Sequence, residues 1–276
     1  MILKIQFNKN VAFILIATIV SLASCKTSTK SNNGQSKADS ISRTEISQDV
    51  KDVVYPLPTP FETTKMLNDM GAKYVSSILN PADKSGKYFT EKSKAVNLGV
   101  YGADLAYAAS FDQKQDVKIY SKALKGLVDQ LGINVDYSKL LSDEFKEKVN
   151  NKDTLVSLIT NTFCDTYKFI DKKSNPDLAI IMASGAWIEV MYIATNISQD
   201  TYHNSGIVKI IAGQKDSYTK LMNLLKEHNK NADIKDIESK LQVLKPVYDK
   251  VDSGLTESDY LLILKTIQSV RKSFVS

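Results

Sequence analysis

The sequence has little of the residues that most often carry chemistry. Cysteine and histidine each occur twice in 276 residues. Cys25 lies near the N-terminus in a leader-like stretch, so Cys164 has no intrachain disulfide partner left. Cys164 falls in an apolar helical run, which favours a buried small hydrophobe over a catalytic thiol. His203 and His228 are too far apart in the chain to suggest a metal site, and we expect no metal or other cofactor.

Dense basic blocks with interleaved aromatics are also missing. The formal net charge is +5. It would fall to +3 without residues 1–24, which contain two lysines and no acid. This mild, interspersed charge argues against a nucleic-acid partner. We find no phosphate-binding glycine loop, nucleophile elbow or HExxH motif, so no enzyme class is indicated.

The N-terminus carries a clear targeting pattern. Lys4 and Lys9 precede an uncharged apolar run over 11–20. That run has the length of a secretory signal and is too short to span a bilayer. Leu22, Ala23, Ser24 and Cys25 follow directly. We predict that residues 1–24 form a signal peptide.

The segment Leu22-Ala23-Ser24-Cys25 resembles the lipobox of bacterial lipoproteins. The resemblance implies that the Cys25 thiol receives a diacylglyceryl group and that the chain is cut just before it. The acyl chains would then make the membrane a partner of the protein. Lys26 follows the cysteine, and residues 27–37 contain no acid. In similar lipoproteins this favours the periplasmic face of an outer membrane. The alternative is an ordinary secretory signal in which Cys25 is incidental.

Beyond Cys25 we predict a flexible polar linker over 25–54 and an all-α domain over 55–276. The linker is rich in Ser, Thr, Asn and Lys and has too few apolar residues to form a core. The domain pattern predicts an irregular multi-helix bundle of about eight or nine helices. The expected helices lie near 61–79, 91–110, 113–131, 139–149, 153–172, 176–198, 206–228, 234–251 and 256–274. Pro246 should kink the helix near 234–251.

Two parts of the domain resemble each other weakly. Asp104 and Glu189 each lie three residues before a tyrosine in an apolar helix, and each helix follows an Asn-Pro break. Two related three-helix units, offset by roughly 90 residues, would produce this pattern. The spacings differ by several residues, so an irregular bundle without duplication is the other interpretation.

Two apolar helices contain the candidate site residues. These are Asn97, Tyr101, Asp104 and Tyr107 in the first helix, and Glu189 and Tyr192 in the second. The first interpretation is a central core pair whose acids are satisfied by nearby polar groups. The second is a pocket in which burial raises the pKa of the acids. The third is that 178–197 spans a membrane.

Two stretches, 55–62 and 97–107, are similar to segments of a group of uncharacterised lipoproteins of the Bacteroidota. This resemblance implies an all-helical lipoprotein and brings no activity with it. We therefore expect a lipid-anchored helical binding or scaffold module that faces the periplasm and engages an envelope protein or small ligand. The alternatives are an enzyme that uses Asp104 or Glu189, and a purely structural envelope component.

Overall fold

The computed structural model describes residues 60–135, 137, 152–172, 175–198 and 200–276. Within these ranges the chain forms α-helices and short 3₁₀ helices, and none of the described residues lies in a β-strand. The predicted all-α multi-helix bundle is therefore confirmed. The predicted signal peptide, Cys25, the predicted linker and the expected helix near 139–149 lie outside the described residues.

Ten α-helices occur in the described ranges. In chain order they are α1 (Pro60–Asp69), α2 (Glu91–Ser110), α3 (Lys114–Gln130), α4 (Lys152–Lys172), α5 (Pro176–Asn196), α6 (Ser205–Ala212), α7 (Lys215–Glu227), α8 (Ala232–Leu241), α9 (Lys245–Lys250) and α10 (Glu257–Val275). In the part of the chain that the structure describes, four 3₁₀ helices supplement them, at Ser76–Ile78, Ala82–Lys87, Gln242–Leu244 and Val251–Ser253.

Helices α2 and α5 form the centre of the described bundle. Both are apolar around almost their whole circumference, as expected for helices enclosed by others. They cross at Gly99 and Gly185. A Cβ atom on Gly99 would lie 2.0 Å from the carbonyl oxygen of Met182, and one on Gly185 would lie 2.1 Å from that of Val96. Only glycine permits this backbone-to-backbone approach.

The remaining helices surround this pair. Helices α1, α3 and α4 pack against α2, and α4, α8 and α10 pack against α5. The amphipathic stripe of α8 places Ile234, Ile237 and Leu241 in the core. The polar centre of the molecule, described below, lies where α2, α5 and α10 meet.

Two of the predicted helices are wrong in extent. The first ends at Asp69 rather than near 79, because Gly71 adopts a left-handed conformation (φ +74°) and turns the chain. The expected single helix near 206–228 is two helices, α6 and α7, separated at Gly213 and Gln214. Glycine is a poor helix former, and here it marks the break.

Other boundaries agree with the sequence. The expected kink near Pro246 is present as a 3₁₀ turn between α8 and α9. Asn175 caps α5 by accepting a hydrogen bond from the Leu178 amide. Thr256 and Asp259 form a capping box at the start of α10.

Helix α5 is long and apolar enough to cross a membrane by length and composition. However, 89% of its most apolar window is buried inside the protein. Its neighbours α2 and α10 are packed against it along the bundle. This burial is what a central core helix requires, so the apolar character of 178–197 is accounted for without a bilayer.

Candidate functional site

The two acids singled out by the sequence come together in the core. Asp104 lies five residues after Gly99 on α2, and Glu189 lies four residues after Gly185 on α5. The close helix crossing therefore brings their side chains to one level of the bundle. Both residues are 0% exposed. Two buried acids cannot both remain charged without a counter-ion.

Arg271 on α10 supplies that counter-ion. Its Nε donates to Glu189 Oε2 at 2.6 Å, and one of its terminal nitrogens donates to Oε1 at 2.7 Å. This is the planar, two-bond arrangement that arginine forms with a carboxylate. The same terminal nitrogen also donates to the carbonyl oxygen of Ile78 at 3.2 Å. The Tyr192 ring covers the guanidinium group, with its centroid 3.9 Å from Cζ.

Asp104 differs from Glu189 because it has no arginine of its own. Its Oδ2 accepts from the Asn80 amide at 3.2 Å, and none of the described residues gives Oδ1 a donor. Burial raises the pKa of Asp104 well above its usual value, and the charge of Glu189 raises it further. Arg271 opposes this shift only partly. Both burial and the charge of Glu189 therefore favour the protonated form of Asp104.

The ion pair at the centre of the cluster is itself charge-neutral, because Arg271 balances the carboxylate of Glu189. The raised pKa of Asp104 favours its uncharged form beside that pair. Burial alone would lower the pKa of Arg271, but the charge and hydrogen bonds of Glu189 raise it above its usual value. A fully paired buried ion pair is tolerated, whereas either member alone would be strongly destabilising.

Asn80 connects the acids to the surrounding tyrosines. Its backbone amide donates to Asp104, and its Nδ2 donates to Tyr88 Oη at 3.0 Å and to Asn97 Oδ1 at 3.4 Å. Its carbonyl oxygen accepts from Tyr120 Oη at 3.2 Å. The Asn-Pro segment that the sequence suggested as a helix stop is thus a buried hydrogen-bonding centre.

Five of the six candidate residues belong to this network. Asn97 also donates to the carbonyl oxygen of Phe274 at 2.8 Å, which fastens α2 to α10. Tyr101 donates to the carbonyl oxygen of Pro81 at 2.9 Å. Tyr107 is the exception. Its ring stacks on Tyr74 and its hydroxyl accepts from the Val75 amide at 2.9 Å, away from the two acids.

The four central polar residues of the network are closed off from solvent. Asp104, Glu189, Asn97 and Tyr101 are all 0% exposed, and the two cavities described below are lined by other residues. Burial raises the pKa of Tyr101 and Tyr120, which keeps both hydroxyl groups protonated as donors. The arrangement fixes four helices, α2, α3, α5 and α10, and the loop around Asn80 relative to each other.

Two concave regions lie elsewhere in the described structure. A narrow apolar crevice opens beside α2 and α4, where Phe61, Leu105 and Phe163 contribute to its walls. A larger groove of about 450 Å³ lies between α6 and the 251–255 turn. Its wall includes Tyr202, Val208 and Leu255. No local sequence pattern predicts this groove, because its two sides are about 40 residues apart in the chain.

The remaining sequence candidates have ordinary surroundings. Cys164 is buried, as expected. His228 lies 2.8 Å from the Asp177 carboxylate at the start of α5, and exposed His203 contacts Asp200. Among the residues that the structure describes, no three His, Cys, Asp or Glu side chains are grouped so that they could hold a metal ion.

Arg271 and Asn80 are the site residues that the sequence analysis missed. A signal for Arg271 was present. The chain has only two arginines, at 43 and 271, against many lysines. Arginine is preferred over lysine where two parallel bonds to a carboxylate are needed. A solitary arginine in an amphipathic helix was therefore a candidate partner for a buried acid.

No family model, no curated protein and no solved structure matches this chain.

Proposed function

We propose that this protein is a lipid-anchored lipoprotein of the bacterial envelope whose helical body serves as a binding or scaffold module. The anchor is Cys25, in the lipobox-like segment Leu22–Cys25. Two or three acyl chains hold a protein to a bilayer far more firmly than one chain does. The composition after Cys25 favours the periplasmic face of an outer membrane. The partner would be an envelope protein or a small ligand.

The observation that carries the binding role is the contrast between the closed acid cluster and the open groove. Asp104 and Glu189 are 0% exposed, at the point where α2, α5 and α10 meet. The groove beside α6 is open and has a partly apolar wall, which is the usual character of a binding site. A rigid core with a surface groove is the arrangement expected of a protein that binds a ligand or a partner protein.

The enzymatic alternative would use Asp104 or Glu189 as an acid or base. Asp104, with its raised pKa, has the property of a general acid. Because Asp104 is 0% exposed, a substrate could reach it only if the side chains packed around it moved. A purely structural envelope component would need neither an accessible acid nor a ligand-binding groove.

Replacement of Cys25 tests the anchor. The Cys25→Ser protein, expressed with its own leader in a Gram-negative host, should leave the membrane fraction and incorporate no labelled fatty acid. Cys164→Ala is the matched control. It removes the other cysteine, which is buried in α4, and should leave both membrane association and labelling intact. Retention of the Cys25→Ser protein in the membrane fraction would refute the lipid anchor.

A further inference from the structure

The groove beside α6 combines an apolar wall with a size suited to a small molecule. Tyr202, Val208, Ala212 and Leu255 line it and are each only partly exposed. Its volume of about 450 Å³ falls within the range typical of ligand sites, roughly 300–1,000 Å³. An apolar body placed there would cover these side chains.

One unpaired charge lies on the groove. Lys209 lines it and is exposed, and none of the described residues forms an ion pair or hydrogen bond with its ammonium group. Asp252, also in the lining, is already paired with Lys215. The charge that the groove offers to a ligand is therefore positive.

The other charges nearby are mutually compensated or lie off the groove. His203 lines the groove and is hydrogen-bonded to Asp200, which raises the pKa of the imidazole and favours its charged form. Glu257 adds a smaller contribution to the same shift but does not line the groove. These contacts leave Lys209 as the groove's uncompensated charge within the described structure.

We propose that this groove binds an amphipathic organic anion, with its apolar body against Tyr202, Val208 and Leu255 and its carboxylate at Lys209. This proposal rests on the binding role given above and specifies the ligand class. A cationic ligand would be repelled by the positive charge of Lys209. A fully polar ligand would leave the apolar wall uncovered.

A matched pair of probes tests the proposal on the full chain. The acid is 4-phenylbutyrate, and the neutral control is 4-phenylbutanamide, which has the same apolar body without the charge. In two-dimensional ¹H–¹⁵N spectra, the acid should shift the amide signals of Val208, Lys209 and Gly254. Its affinity should exceed that of the amide by about fivefold, the size of an exposed ion-pair contribution.

Two variants locate the charge. Lys209→Gln should lower the affinity for 4-phenylbutyrate by about fivefold, to that for 4-phenylbutanamide. The affinity for 4-phenylbutanamide itself should not change. Lys118→Gln removes an exposed lysine on α3 that does not line the groove, and should change neither affinity. Equal affinities of acid and amide, an unaltered acid affinity in Lys209→Gln, or shifts confined to other amides would overturn the proposal.

This failure is distinguishable from failure of the wider proposal. A chain that releases from membranes on Cys25→Ser but ignores both probes contradicts the groove assignment and leaves the anchor intact. A chain that stays on membranes without Cys25 contradicts the anchor, whatever the probes do.

Discussion

Gly99 and Gly185 occupy reciprocal positions where α2 and α5 cross. Each glycine faces the carbonyl oxygen of the residue three positions before the other, Met182 for Gly99 and Val96 for Gly185. Such reciprocity is the geometry expected of two helices related by a local two-fold axis. It fits the suggested duplication of a three-helix unit, which itself stays a prediction.

The crossing predicts a large effect of one methyl group. Gly99→Ala would place Cβ 2.0 Å from one backbone oxygen and 2.7 Å from the Ala186 nitrogen. Backbone atoms of a packed helix cannot rotate away from the new methyl group as a flexible side chain could. The free energy of unfolding should therefore fall by about 3 kcal/mol. Urea denaturation measures it.

Gly126→Ala is the control for this experiment. Gly126 lies inside α3, and a Cβ there would meet nothing within 4 Å. It should raise stability by roughly 0.5–1 kcal/mol through helix propensity alone. Equal effects at the two positions would show that the crossing is not as close as described.

The ion pair between Arg271 and Glu189 predicts that a second substitution restores stability lost by the first. Arg271→Met preserves the apolar stem of the side chain but removes the guanidinium and leaves Glu189 charged in the core. It should lower the free energy of unfolding by about 3–5 kcal/mol. Adding Glu189→Gln removes the stranded charge and should restore a large part of that loss. Urea titrations of the single and double variants give the coupling energy.

A surface pair provides the comparison. Lys92 and Asp233 join α2 to α8 at 2.7 Å, with partly exposed side chains. Lys92→Met should cost less than about 1 kcal/mol. If Arg271→Met were equally mild, Glu189 would have to have another counter-ion.

Asp104 predicts an unusual dependence of stability on pH. An unfolded aspartate ionises near pH 3.9, whereas the pKa of Asp104 in the folded protein is raised well above that value. Between these two pKa values the folded state binds the extra proton, so its stability falls as pH rises, by up to about 1.4 kcal/mol per pH unit. Asp104→Asn removes this titration.

The measurable quantity is the difference in unfolding free energy between wild type and Asp104→Asn at pH 5, 6, 7 and 8. The free energy of unfolding of the wild-type protein should fall relative to that of Asp104→Asn as pH rises. A constant difference across this range would mean that Asp104 is ionised in the fold. If Asp104→Asn were stable but lost a measured activity, the enzymatic alternative would gain support.

The central part of the fold could be predicted from local sequence. Glu91–Ser110 and the core of α5 were recognisable because continuous apolar composition, caps and glycine spacing all act within one helix. The end of the first helix was missed because its apolar pattern continues past Gly71 into a 3₁₀ turn. A single left-handed glycine outweighed that pattern.

The site was only half predictable. Asp104 and Glu189 lie in apolar helices, so the sequence predicted that both acids would be buried and would need polar partners. Which partners they found could not be predicted, since Arg271 is 82 residues from Glu189 and no local period connects them. Asn80 was likewise interpreted from its proline neighbour as a helix stop, while its four hydrogen bonds depend on tertiary placement.

The order in which the charges are synthesised has a consequence for folding. Asp104 and Glu189 leave the ribosome before Arg271, with 82 residues separating the members of the ion pair. A nascent chain that has just exposed α5 therefore contains both acids but not the arginine that pairs with Glu189. The packing of α2 on α5 gains the ion pair only after α10 has been translated. The centre of the bundle should thus be completed late, in one cooperative step that includes α10.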